Sequence, residues 1–321
     1  MENTEIQPIQ PPPWKHPNWL TETEPVVTAA VRDAGHTVTG PLCTVKSWGR
    51  SHLATLPTSD GTLWIKHAYR LPPGEERILE PLASRHPGLV PDVIATWFGG
   101  VAMKTLRGVE LNEDHSLPTW CEAANMIGQL AAAEEAHADD WLALGVRDRR
   151  PTAFADALDA LLASPVIATL DARLNGEFCA SRDKFVERYA AAFNRAPTLV
   201  HQDSGCCNIH VGSYENSGGP VLFDWSDVVV GHPAYSCDRL LDQVSVERKA
   251  AVIEAFGEPL RMTATEYEAA RRSNVLHEIL RYHDELAWLH PEDELYQNLT
   301  ASVQSQIGVL MRHEASLLDN A

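Results

Sequence analysis

The sequence predicts an α+β protein in two lobes, a small one built on an antiparallel sheet and a larger, mostly helical one. Three observations carry that expectation. Strand-like runs separated by turn residues fill the chain up to about Gly108, and from Leu117 onward apolar residues recur at helical spacing. Between them in character is the stretch 198–227, TLVHQDSGCCNIHVGSYENSGGPVLFDWSD, where short strand-like runs end at acidic residues. With 321 residues, 44% hydrophobic and 22% charged, the chain is long enough for both lobes and a large core. The expected division is 1–107 and 108–321, with residues 1–18, rich in proline and polar residues, as a flexible leader.

In chain order, Leu20–Ala34 places Val26, Val27, Ala30 and Val31 at helical spacing and is closed by Gly35, which predicts a short amphipathic helix. Leu42–Leu56 and Thr62–His67 read as strands joined by the turn-forming Pro57-Thr58-Ser59-Asp60-Gly61. Pro72–Ser84 reads as a helix with Glu75, Ile78, Leu79 and Leu82 along its inward stripe. Val90–Thr96 and Val101–Met103 complete a sheet of about five strands. Beyond Leu117 the stripe Ala123, Met126, Ile127, Leu130 and Ala131 marks a helix, followed by Ala153–Leu162, Glu177–Phe193, Thr265–Ala287 and Glu294–Leu317. The basic turn Leu144–Arg150, with three arginines and one aspartate, is expected as a solvated loop rather than a phosphate-steering one.

Composition excludes several functions. No apolar run reaches the length of a membrane span, and the start lacks a basic region followed by an apolar core, so neither a membrane segment nor a signal peptide is expected. The six cysteines lack framework spacing and read as reduced thiols, which points to a cytoplasmic protein. A net charge of −18 argues against nucleic acid as a partner. It leans towards a cationic small-molecule ligand, although an ordinary acidic surface accounts for it equally well.

The chemistry concentrates in His201-x-Asp203-x4-Asn208 and in Asp224-Trp225-Ser226-Asp227. An aspartate can take a proton from a hydroxyl, while a carboxamide and a second carboxylate offer hard oxygens to magnesium. A zinc site at His201, Cys206, Cys207 and His210 is the rival reading, but adjacent cysteines serve one tetrahedral ion poorly.

HQDSGCCN followed by DWSD resembles the catalytic loop and metal-binding segment of the aminoglycoside phosphotransferase and choline kinase-like family, a branch of the protein-kinase-like fold. The likeness extends from about Trp14 to about Asp242. It departs at Gln202, where the family has glycine. The resemblance implies transfer of a phosphoryl group from ATP, or GTP, with magnesium, to a hydroxyl of an aminoglycoside-like molecule, amino alcohol or sugar. It implies Asp203 as the catalytic residue and Asn208 and Asp224 as metal ligands. Lys66, ending the run Leu63-Trp64-Ile65, takes the place of the phosphate-binding lysine, with Glu75 as its partner and Glu76 as the rival. Ser51, in Ser47-Trp48-Gly49-Arg50-Ser51, falls in the loop over the phosphates, and Met103 and Thr105 fall in the hinge that meets the base. Asp227, His201 and Asp238 are implied as acceptor-binding or scaffold residues, with Asp238 anchoring the catalytic loop. A catalytically inert, nucleotide-binding or regulatory relative is the alternative, against which the intact trio speaks.

Overall fold

Period-two alternation turns the first hundred residues into a sheet with two different faces. In the computed structural model, which describes residues 12–68, 73–212 and 218–318 (without the side chains of 313–318), five strands pair antiparallel throughout. They are β1 (Cys43–Ser47), β2 (Ser51–Thr58), β3 (Gly61–Ala68), β4 (Val93–Trp97) and β5 (Gly100–Lys104), in the order β1-β2-β3-β5-β4. Successive side chains point to opposite faces. Ala102 therefore joins Ala54, Leu56, Ile65 and the buried Val27 and Val31 of helix α1 (Trp19–Asp33). Its neighbour Val101 joins Ile78, Leu79 and Leu82 of helix α2 (Glu75–Arg85), in the core shared with the helical lobe.

The run Leu42–Leu56 is two strands rather than one. Trp48 N–H donates to Ser51 O at 3.1 Å and the indole Nε1–H to Ser51 Oγ at 2.7 Å, which folds Trp48–Arg50 into a turn. The predicted leader is no loose tail where it is described. Pro13–Lys15 form a 3₁₀ turn, Trp14 Nε1–H donates to Trp48 O at 2.6 Å, and Lys15 pairs with Asp293 at 3.0 Å. Residues 1–11 of that leader, and Pro72 at the start of the second predicted helix, lie outside the described residues.

The chain leaves the sheet through Gly108, whose φ of +81° and whose approach to β9 both require glycine: a Cβ there would lie 2.0 Å from Val211 O. A three-stranded sheet follows from β6 (Val109–Glu110), later joined by β9 (Ile209–Val211) and β10 (Val221–Leu222). A second one combines β7 (Arg147–Asp148), β8 (Thr198–Val200) and β11 (Val229–Gly231). The helices of this lobe are α3 (Leu117–Glu134), α4 (Ala138–Ala143), α5 (Pro151–Leu162), α6 (Pro165–Ala168), α7 (Ala172–Ala180), α8 (Arg182–Ala192), α9 (Asp238–Asp242), α10 (Val246–Leu260), α11 (Ala264–Arg271), α12 (Asn274–Leu286) and α13 (Glu294–Leu318). Two predicted helices are each split, at Ser181 and at Arg272–Ser273. Helix α10, absent from the sequence expectation, lies so close to α3 that Phe256 O would sit 2.2 Å from a Cβ on Gly128. None of the described helices is long and apolar enough to cross a membrane.

Glu134, 1% exposed at the end of α3, ties the two lobes together. It accepts from Arg85 Nε and Nη2 at 2.9 and 2.8 Å and from Trp141 Nε1 at 2.6 Å, and it meets His86 Nε2 at 2.5 Å. Burial pushes its pKa up, but the bonds from His86, Arg85 and Trp141 outweigh this and hold it at about 2, against 4.5 unperturbed. A depressed carboxylate stabilises the fold above its unfolded pKa, and that stability is lost as pH falls from about 4.5 towards 2. Replacing Glu134 by Gln should cost about 3 kcal/mol at neutral pH and flatten the acid limb of a pH series of urea unfolding curves.

Candidate active site

The site begins with a lysine that three elements compete to hold. Lys66 on β3, 7% exposed, places Nζ 2.6 Å from Glu75 Oε2 on α2 and 2.6 Å from Asp224 Oδ1 just after β10. Burial alone would lower its pKa, yet Asp224 and Glu75 together drive it above its ordinary value, so the ammonium stays charged. Lys66 in return holds the Asp224 carboxyl down at about 2 against the opposing effect of burial. Glu75 also accepts the Trp225 N–H at 3.0 Å, so α2 is fastened to the residue after Asp224. Glu76 instead accepts Gly99 N–H at 3.2 Å, away from the lysine.

Asp224 adopts a left-handed backbone, φ 65° and ψ 63°, uncommon for a residue other than glycine. Its side chain remains 38% exposed, and one oxygen also accepts from Ser226 Oγ at 3.0 Å. The catalytic-loop candidates are built around it. His201 bridges the two segments: Nδ1 accepts Asp203 N–H at 3.2 Å and Nε2 lies 3.0 Å from Phe223 O. Burial lowers the His201 pKa, and these contacts fit a neutral ring protonated at Nε2. Asn208 donates from Nδ2 to Asp203 O at 2.7 Å, which leaves its carbonyl oxygen unused by that bond. Phe223 N–H donates to Asn208 O at 3.0 Å, drawing the strand that ends at Asp224 against the loop. Lys66, Glu75, Asp203, Asn208 and Asp224 thus meet on one linked framework between the sheet and the helical lobe.

Several expected placements need correction. Ser51 is buried, and its Oγ accepts the Trp48 indole proton within its own turn. Met103 lies inside β5, opposite Trp64 of β3 and Val93 of β4, so its backbone faces strands; chain free to meet a base edge begins after Lys104. Thr105 follows there, with Oγ1–H donated to Thr62 O at 2.6 Å. Asp238 does not anchor the catalytic loop. It accepts from Tyr267 OH, and burial raises its pKa to about 7. The loop is instead held by Ser204 Oγ donating to Ser236 O, and by Gln243 Oε1 accepting Cys206 N–H at 2.7 Å. Nor is Arg147–Arg150 a solvated loop: Arg149 is 4% exposed and shares Asp284 with Arg147, because β7 is drawn into the sheet beside β11. Asp227 is buried beside Arg281, Nη1 to Oδ2 3.5 Å.

Two residues in this cluster escaped the sequence reading. Arg239 on α9 and Arg281 on α12 place nitrogens 3.4 and 3.6 Å from Asp203 Oδ1. A signal for the second was present: His277, Arg281 and Glu285 recur every four residues beside the apolar stripe of α12, and all three are buried.

The chain matches the model of the phosphotransferase enzyme family over residues 65–272, well over half its length, and belongs to that family. A comparison with curated proteins finds no match. Among solved structures, the macrolide 2'-phosphotransferase MphH from Brachybacterium faecium is 18% identical with a TM-score of 0.61, over 88% of this chain and 98% of that one. A choline/ethanolamine kinase family protein from Mesorhizobium loti is 15% identical with a TM-score of 0.60, over 91% and 94%. The streptomycin–ATP–APH(2'')-IIa ternary complex is 15% identical with a TM-score of 0.59, over 89% and 96%. At these identities the likeness is one of fold, the two-lobed kinase-like α+β architecture.

Proposed function

We propose that this member of the phosphotransferase enzyme family moves the γ-phosphoryl group of ATP, with magnesium, to a hydroxyl of a small molecule. The observation that supports this best is Lys66, held between Glu75 and Asp224 beside the loop that carries Asp203 and Asn208. Phosphoryl transfer needs positioning and charge neutralisation more than covalent chemistry, and a buried, obligatorily charged ammonium at the cleft suits the phosphates of a nucleotide. GTP is the alternative donor.

The residues fit magnesium. No group of three or more His, Cys, Asp or Glu is placed to hold a metal among the described residues. An ion held mainly by nucleotide phosphates needs fewer protein ligands, and the part-exposed Asp224 carboxylate with the Asn208 carboxamide oxygen supplies the hard oxygens it prefers. When bound, magnesium would neutralise charge on the phosphate oxygens. Asp203, whose side chain is 30% exposed, accepts the hydrogen bond of the acceptor hydroxyl. As the new bond from that oxygen to phosphorus forms and the bond from phosphorus to the ADP leaving oxygen breaks, Asp203 takes the proton. His201 keeps the loop in register through its two backbone contacts.

A small acceptor is favoured over a peptide because residues 228–238, which follow the Asp224 segment, are all buried and leave no extended docking platform. The test is ADP release with Mg·ATP across a panel of hydroxylated small molecules. Acceptor-dependent release is expected; binding of nucleotide without release for any acceptor would point to the inert, regulatory alternative.

A further inference from the structure

We infer, building on the phosphotransferase reading, that the acceptor is a small hydroxy acid whose carboxylate is gripped by Arg239 and Arg281 while its hydroxyl faces Asp203. The starting point is an imbalance in how the arginines of this protein are used. Elsewhere, ion pairs with buried carboxylates close tightly, Arg50 with Glu285 at 2.5 Å and Arg85 with Glu134 at 2.8 Å. At the catalytic aspartate they do not. Arg239 Nε stands 3.4 Å from Asp203 Oδ1, and its Nη1 stands 3.4 Å from Glu278 Oε1. Arg281 Nη1 lies 3.6 Å from Asp203 and 3.5 Å from Asp227, and neither Nη1 nor Nε makes a hydrogen bond although the side chain is 4% exposed. Leaving the N–H groups of a buried guanidinium unused is costly, and its planar fork matches a carboxylate. Arg281 is held in place by its stack over the Tyr282 ring at 4.8 Å.

The rest of the lining agrees. Both arginines border a cavity of about 10 Å³, room for one water-sized group such as a single carboxylate oxygen, together with Gln202, His277, Asp238 and Glu278. Gln202 Nε2 lies 3.1 Å from His277 Nδ1, and donation along that contact leaves the imidazole proton on Nε2, a further donor without a hydrogen bond. The carboxylates nearby are only partly engaged: Asp227 stands 3.5 Å from Arg281, Glu278 accepts from Arg239 and Gln306, and Asp238 accepts from Tyr267 at Oδ1 while its Oδ2 makes no hydrogen bond. A cationic head group would want an accessible carboxylate or an open aromatic face, and Asp238 is 1% exposed. The Tyr235 ring offers none, since it is buried and stacked on His277 at 4.4 Å. Because the guanidinium groups stand against Asp203 itself, the reacting hydroxyl belongs on the carbon next to the carboxylate or one further along.

The test uses matched acceptors: short 2- and 3-hydroxy acids, their primary amides, and the amino alcohols of the same skeleton, with saturating Mg·ATP and ADP release as readout. The acids should be turned over with a kcat/KM about 10- to 100-fold above the amides, the range of one charge-assisted contact. Arg239→Ala, at a side chain 35% exposed and so tolerant of truncation, should raise KM for the acid about 10- to 100-fold more than it raises KM for the amide, which erases the preference for the acid. A preference for amino alcohols, or no turnover of any hydroxy acid, overturns the inference. So does a fall in kcat for acid and amide alike in Arg239→Ala, which would assign the arginines to the transferring phosphoryl group. Thermal stabilisation by Mg·ATP, measured alongside, separates these failures from a failure of the nucleotide reading itself.

Discussion

Asp203→Ala is expected to lower phosphoryl transfer by about 10²- to 10⁴-fold while nucleotide still binds. The separation is possible because the loop is held by groups other than this side chain. Asp203 N–H donates to His201 and Asp203 O accepts from Asn208, and both contacts survive truncation at Cβ. The carboxylate itself has only long contacts, with Asn208 Nδ2 at 3.3 Å, Arg239 at 3.4 Å and Arg281 at 3.6 Å. The variant should therefore fold, and Mg·ATP should raise its melting temperature by as much as that of the parent. Turnover equal to the parent would remove Asp203 from the chemistry.

Lys66→Ala should fail differently, losing both nucleotide binding and stability. The lysine is the cation facing Glu75 and Asp224, and Glu75 is 3% exposed. Removing one partner of a buried pair leaves the other desolvated and uncompensated, at a cost of about 3 kcal/mol, softened where Glu75 takes up a proton instead. The pairing itself predicts a rescue. A Lys66→Met, Glu75→Gln double variant should recover much of the stability, because it leaves no uncompensated charge at Glu75 and the amide oxygen can still accept the Trp225 N–H, while nucleotide binding stays lost. Urea unfolding and ATP titration on the single and double variants measure the two quantities independently.

The sequence disclosed those parts of this protein whose physical requirements are local. The sheet was legible because alternation along Ser51–Thr58 and Gly61–Ala68 is a property of neighbouring residues, and its five antiparallel strands are present. The pairing of Lys66 with Glu75 rather than Glu76 was only an expectation, since two adjacent helix positions differ by a rotation that tertiary packing decides. The Trp48–Arg50 turn was expected from the resemblance but not from the hydrophobicity pattern, which ran one strand over Leu42–Leu56 because the indole bond to Ser51 is invisible in it. Arg149 was misjudged for the opposite reason: three arginines among four residues look solvated, and what buries one is Asp284, more than a hundred residues away. Arg239 and Arg281 come from helices distant in sequence, so nothing near Asp203 announces them. Met103 and Asp238 were placed by analogy of order, which cannot tell which way a backbone or a side chain faces.

Lys66, Asn208 and Asp224 are expected to form one magnesium–nucleotide site, and calorimetric titration of ATP with and without magnesium tests that. In the parent protein magnesium should tighten ATP binding by about tenfold or more, and in Asp224→Ala that enhancement should vanish while metal-free binding changes little. An equal enhancement in both proteins would contradict it.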